Sequence, residues 1–392
     1  MKKFTILIAA VALVCFAAPA MAVDWNFYGN ARMATYYQSE DKADTKDTDT
    51  IWDLQGNSRI GANIKAENIS ARFEFGVTSD SGGGGNVSSR RIYGVWNFGA
   101  GTMKVGKDYT PVSQFISGQV FDGDLGLLGI GTSYGARQGQ IAFTFGNFEI
   151  ALIQPNSGFL SGMTTTATAF VTVTSIAGGS SGTDASFTTS SNGDLDEIIP
   201  KIELGWGMSF DAWNFGLMGG LNYYSIANVA SSVSTGSTDD IDVTSWTVGG
   251  DVGFNFGPGS IKAALSYGSN IGNASWSIPG AAGGTSGQGG LAIWDGDDDT
   301  NDVTTTQAAL VGALKVSDML NFEAGFGYRY DNTDGGGTRN TAPWAVYVQS
   351  VIALAPGVYV IPEVGYYDYD NNAAGKDQGS LFYLGGKWQI NF

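Results

Sequence analysis

The sequence predicts an all-β fold: a transmembrane antiparallel up-and-down β-barrel of about 16 strands, with short periplasmic turns and long extracellular loops. Three observations carry this. An export segment opens the chain, stretches of alternating polarity recur to its last residue, and the connections between them alternate between short and long.

The export segment comes first. Lys2 and Lys3 precede the apolar run Phe4 to Phe16, and the small-residue triplet Ala20-Met21-Ala22 follows. A positive start, a short apolar core and an A-x-A site make a secretory signal peptide. The run is shorter than the roughly 18 residues of a spanning helix, so cleavage is expected in place of anchoring. The expected organisation is residues 1–22 as a cleaved signal peptide and 23–392 as one barrel domain. Cys15, the only cysteine, would leave with the signal, and the bulky Val14 before it argues against a lipidated cysteine. The mature chain would then have no thiol chemistry.

Composition narrows the class. Glycine, at 58 of 392 residues, is about twice its ordinary share of ~7%. Aromatic residues at 12% argue against disorder. A net charge of −17 repels phosphate backbones and excludes nucleic acid as a partner. The chain has no histidine, which removes imidazole as general base and as metal ligand. No enzyme activity and no required cofactor are expected.

Alternation defines the strands. In 54–66, Leu54, Gly56, Ser58, Ile60, Ala62, Ile64 and Ala66 share one face, against Gln55, Asn57, Arg59, Asn63 and Lys65. After Glu67-Asn68, Ile69, Ala71, Phe73, Phe75 and Val77 oppose Ser70, Arg72, Glu74 and Thr78. The same division returns at Trp213 to Tyr223, at Leu320 to Tyr330 and at Phe382 to Phe392. Successive side chains of a strand point to opposite faces, so each stretch has one apolar and one polar side. About ten residues cross a bilayer as a tilted strand.

Connections set the architecture. Short turns fall at Glu67-Asn68, Gly99-Ala100-Gly101, Gly146-Asn147, Asp211-Ala212, Gly257-Pro258-Gly259, Asp318-Met319 and Pro356-Gly357. Turn residues there have a physical reason to bend the chain. Between them lie longer polar stretches at 38–53, 80–87, 109–133, 156–196, 228–242, 272–302, 332–341 and 369–379. Unpaired backbone groups cost several kcal/mol each in hydrocarbon, so the sheet must close. Residues 24–37 are expected to pair with 380–392.

Two segments resemble the general porins of Gram-negative outer membranes. One is the run from Arg90 and Arg91 through Ile92-Tyr93-Gly94-Val95-Trp96-Asn97-Phe98, the turn Gly99-Ala100-Gly101 and Thr102-Met103-Lys104-Val105-Gly106-Lys107. The other is the alternating end Trp388, Ile390 and Phe392. The resemblance implies a homotrimer of 16-stranded barrels in the outer membrane, a third loop folded into the pore, and passage of small hydrophilic solutes. It implies lipid and lipopolysaccharide around the barrel, and a C-terminal signal at Trp388, Ile390 and Phe392 read by the barrel-assembly machinery. Sixteen strands also leave an aqueous channel on geometric grounds alone.

Candidate site residues follow. The stretch 109–133 carries Asp122 and Asp124 within an apolar setting of Phe115, Phe121 and 125–130. Such a loop belongs inside the barrel, with both carboxylates at the constriction; as the alternative, Asp-Gly merely shapes a turn. Arg59, Arg72, Arg91 and Lys104, together with Arg32 and Lys107, form the opposing basic wall, or else are dispersed lumen residues paired with local acids such as Glu74. Facing rows of opposite charge set a transverse field across the opening. Asp295, Asp297 and Asp299 have alternate spacing suited to calcium, against the plainer reading of a solvated acidic loop. Rival functions are a channel specific for a sugar or an oxyanion, and a structural or adhesive surface barrel. The sequence leaves ion preference open.

Overall fold

A computed structural model describes residues 23–42, 45–77, 86–158, 160, 167–170, 186–189, 194–230, 238–277, 289–296, 299–334, 340–371 and 375–392. The signal peptide expected at 1–22 lies outside the described residues. The wall is a single antiparallel sheet closed on itself. Its strands are β1 Asp24–Lys42, β2 in two pieces, Thr45–Leu54 and Arg59–Lys65, β3 Ile69–Val77, β4 Val87–Asn97, β5 Thr102–Tyr109, β6 Arg137–Phe145, β7 Phe148–Ile153 and β8 Lys201–Phe210. They continue as β9 Trp213–Ala230, β10 Thr238–Phe256, β11 Gly259–Ser269, β12 Val303–Ser317, β13 Leu320–Thr333, β14 Trp344–Ala355, β15 Val358–Asp368 and β16 Ser380–Asn391. This is the 16-stranded barrel that the alternating connections predict.

Closure joins β1 to β16, with Asn30 opposite Asn391 and Asp41 opposite Ser380. Gly29 and Phe392 exchange backbone hydrogen bonds at 2.7 and 3.0 Å and seal the seam. Three local expectations differ. In the polar stretch 228–242 every described residue belongs to β9 or β10, with Val229 opposite Asp239 and Ala230 opposite Thr238. The polar stretch 38–53 is largely β-ladder, because Gln38–Lys42 of β1 pair with Thr45–Asp49 of β2. Apolar alternation ends where the hydrocarbon ends, but backbone pairing continues above it. The stretch 54–66 is also not one strand. Met33 faces Leu54 and Asn30 faces Arg59, so Gln55–Ser58 leave the ladder as a two-residue excess. An even excess preserves the alternation on both sides of the break.

The two faces of the wall are chemically distinct. Along one register row, Leu310, Phe326, Val346, Tyr366 and Phe382 succeed one another on β12 to β16. Leu310, Phe326, Val346 and Phe382 are exposed, as expected of a surface whose solvent is lipid. The next row points inward and alternates by size: Gly325, Tyr347, Gly365 and Tyr383. A methyl group at Gly325 would lie 2.4 Å from the Tyr347 ring, and one at Gly365 within 2.3 Å of the Tyr383 hydroxyl. Each tyrosine therefore lies across the glycine of the neighbouring strand. This explains part of the glycine excess by close packing across the sheet.

Candidate pore site

The connection between β5 and β6 folds into the barrel, which follows from its composition. Val112, Ile116, Val120, Phe121, Leu127, Leu128 and Ile130 are buried, an apolar face that water at the barrel mouth would not accommodate. Ile130 sits so close to the wall that a methyl group at Gly327 of β13 would meet its carbonyl at 2.6 Å.

Three wall carboxylates hold the backbone of this loop. Glu203 of β8 accepts the amide of Val112 at 2.8 Å. Glu323 of β13 accepts that of Gly118 at 2.7 Å. Glu363 of β15 accepts those of Val120 and Phe121 at 2.7 and 3.1 Å. Glu323, Gln349 and Glu363 occupy one register row, and Gln349 donates to the Gly118 carbonyl at 2.8 Å. The loop thus runs along a prepared row of polar groups that satisfies its buried amides. Just above that row, Phe121 stacks on Tyr383 at 3.7 Å between ring centroids and meets Tyr36 edge-on.

The loop tip carries both predicted carboxylates. Asp122, Gly123 and Asp124 all have positive φ, which makes a tight reversal that Asp and Gly tolerate better than most residues. Asp124 forms ion pairs with Arg32 of β1 and, at 2.8 Å, with Lys387 of β16. Asn57 donates to Asp124 and to the Gly123 carbonyl, each at 2.7 Å. The Gln55–Ser58 excursion is what presents Asn57, and Gln55 with it, to the tip. Among the described residues Asp122 has no such partner, and it faces the lumen beside Tyr36, Asp53 and Arg90. Crowding by protein raises its carboxyl above the ordinary value.

The bases sort into groups. Arg59, Arg72 and Arg90 converge on the fully buried Glu74 at 3.4, 2.9 and 2.8 Å, and Tyr28 completes the cluster. Arg91 and Lys104 share Asp108 at 3.3 and 3.2 Å, and Lys104 also reaches Glu149. Lys107 stands apart at the loop end of β5 and donates to the Ser89 carbonyl. Arg32 joins the loop tip rather than the Glu74 group. Arg90 escaped the alternation argument because it is the extra residue of a β-bulge: Glu74 faces Arg91 and Phe75 faces Ser89. A bulge re-aims a side chain, so both Arg90 and Arg91 make ion pairs. Glu323 and Lys387 fall on the polar faces of the alternating stretches 320–330 and 382–392, Glu203 and Glu363 lie outside the stretches traced from the sequence, and nothing local marked any of the four as contacts of the loop.

A second connection, between β11 and β12, also turns inward. Ile271, Ala274 and Trp276 are buried. Trp276 donates to Glu203 at 2.8 Å, and its carbonyl accepts the Tyr134 amide at 3.1 Å. Arg329 of β13 ties the two loops together by donating to Gly129 and to Ser277. Of the acidic run considered for calcium, Asp297 lies outside the described residues, and Asp295 accepts the Asp299 amide at 3.3 Å. Among the described residues no group of three ligating side chains stands together.

A closed wall, apolar outside, polar inside and narrowed by an infolded loop, defines an integral outer-membrane channel. The chain belongs to the Gram-negative porin family, whose profile matches residues 9–374. It is accordingly an outer-membrane channel for passive diffusion. Solved structures share the fold at low identity. The outer-membrane channel DcaP of Acinetobacter baumannii aligns with TM-score 0.65 and 14% identity over 94% of this chain and 97% of its own. An anion-selective porin from Comamonas acidovorans gives 0.57 and 14% over 94% and 100%. OmpT of Vibrio cholerae, in a trimer form, gives 0.53 and 17% over 94% and 99%. No curated protein matches the sequence.

Proposed function

We propose that the channel passes small hydrophilic solutes and ions without transforming them, through an opening bounded by the loop tip and the basic wall of β1 to β5. The observation that carries this is how the loop is anchored: its backbone lies along β8 to β15, and only its tip crosses to Arg32, Asn57 and Lys387. Glu203, Glu323 and Glu363 hold its backbone against β8 to β15, which leaves the Glu74 and Asp108 clusters to line the remaining passage. In this reading Asp122 and Asp124 with Arg32, Arg59, Arg72, Arg91 and Lys104 set the constriction, and Lys107 lies at its mouth. The unit is a homotrimer that inserts by way of Trp388, Ile390 and Phe392. Sugar specificity is the weaker reading. Four of the inward aromatics, Tyr36, Tyr347, Tyr367 and Tyr383, are buried by the wall and the loop and give a sugar no stacking face.

The test is conductance of the purified, folded protein in a planar bilayer under a salt gradient. Discrete steps, grouped in threes, are expected. A folded barrel that produces no steps would refute the diffusion reading and favour a plugged, structural role.

A further inference from the structure

Two bases near the loop ends of β5 and β6 lack what their neighbours have. Arg32, Arg59, Arg72, Arg91 and Lys104 each pair with a carboxylate. Lys107 and Arg137 pair with none among the described residues. Lys107 spends one of its three N–H groups on the Ser89 carbonyl at 2.9 Å. The Arg137 guanidinium lies 5.2 Å from the Tyr109 ring centroid and makes one long hydrogen bond, 3.4 Å, to the Tyr109 hydroxyl. Arg91 stacks on the same ring at 4.5 Å, so Tyr109 holds the two guanidiniums at fixed places.

These groups bound one space. A cavity of about 480 Å³ is lined by Lys107, Arg137, Arg90, Ser88, Ser89 and Gly56, and no carboxylate among the described residues lines it. It shares Gly56 and Arg90 with the cavity beside the loop tip, which contains Asp122. The two cavities therefore adjoin at Gly56 and Arg90. Resting on the channel reading above, we propose that this cavity is a binding subsite for a small oxyanion solute, a carboxylate or a phosphate, loaded on its way to the constriction.

The chemistry selects an oxyanion over a bare halide. A guanidinium offers parallel N–H donors that match two oxygens of one group. Lys107 adds a point charge with free donors, and Ser88 and Ser89 add hydroxyls. A multi-oxygen anion satisfies these donors together, which a spherical ion cannot do. Such a basic pocket runs against the overall charge of −17.

The test uses the mature protein in a planar bilayer in potassium chloride, with inorganic phosphate or acetate added to the loop side. Phosphate is expected to reduce the unitary current saturably. In Lys107→Gln/Arg137→Gln the half-blocking concentration, read against that variant's own unblocked current, should rise about tenfold or more, the equivalent of about 1.4 kcal/mol. The charge-conserving pair Lys107→Arg/Arg137→Lys should keep the block and thereby control for folding. Block by both anions supports the general oxyanion class, and block by one alone identifies which. Steps that neither anion alters, or equal block in the Gln pair, would overturn the subsite. Calorimetric titration of phosphate into the detergent-folded protein reads the same site without conduction. A channel that fails to conduct yet binds phosphate would strike the diffusion reading alone.

Discussion

Asp124 satisfies two cations with one carboxylate, and its partners make it costly to remove. The Lys387 side chain is 6% exposed, so Asp124→Ala leaves an ammonium with little water and without its ion-pair partner. Loss of such charge-assisted bonds costs on the order of 1–3 kcal/mol. The expected outcome is a lower urea midpoint for the folded barrel and a reversal potential displaced toward anions; an unchanged potential would remove Asp124 from the constriction. Asp122 behaves differently, because its raised carboxyl titrates above ordinary exposed acids. As pH falls, Asp122 loses its negative charge ahead of ordinary exposed aspartates, so selectivity should drift toward anions ahead of their titration. Asp122→Asn should already show the drifted value at neutral pH and a flatter early titration. Identical pH profiles for the variant and the parent would refute this assignment.

The infolded loop is the element on which the channel depends, and its anchors lie on strands far from it in sequence. Gly118 and Glu323 are 205 positions apart, and Val120 and Glu363 are 243 apart. Replacing both anchors, as Glu323→Ala/Glu363→Ala, leaves three loop amides without acceptors while the barrel wall keeps its ladder. Larger and noisier unitary conductance with unaltered folding is the expected result. Quiet steps of parental size would mean that apolar packing of Phe121, Leu127 and Ile130 holds the loop without help. The loop's inward course was legible from its apolar residues, since a surface connection has no use for a run such as 125–130. Its docking partners were not, because Glu323 and Glu363 look locally like any polar-face residues.

For the whole molecule, closure is the decisive event, and it places Phe392 over Gly29. A methyl group at Gly29 would come within 2.5 Å of the Phe392 ring and 3.2 Å of the Arg59 carbonyl. Gly29→Leu should lower the fraction that forms a heat-resistant barrel on unheated gels, whereas Gly94→Leu, where a side chain meets nothing within 4 Å, should not. Equal yields would show that the seam tolerates bulk. Phe392 thus has a structural task at the seam, besides the assembly signal proposed for it.

The sequence by itself determined the number of wall crossings, the face its alternating stretches turn to lipid, the alternation of short turns with long loops and the closure of the last strand on the first. These follow from a two-residue period and from turn chemistry, both of which are local. Only the tertiary structure decided which inward residues meet. Arg90 joins Glu74 because a bulge turns it inward, Asn57 reaches the loop tip because four residues leave the β2 ladder, and Lys387 meets Asp124 across 263 positions. Those encounters depend on hydrogen-bond register accumulated around a closed sheet, a quantity that no single strand contains.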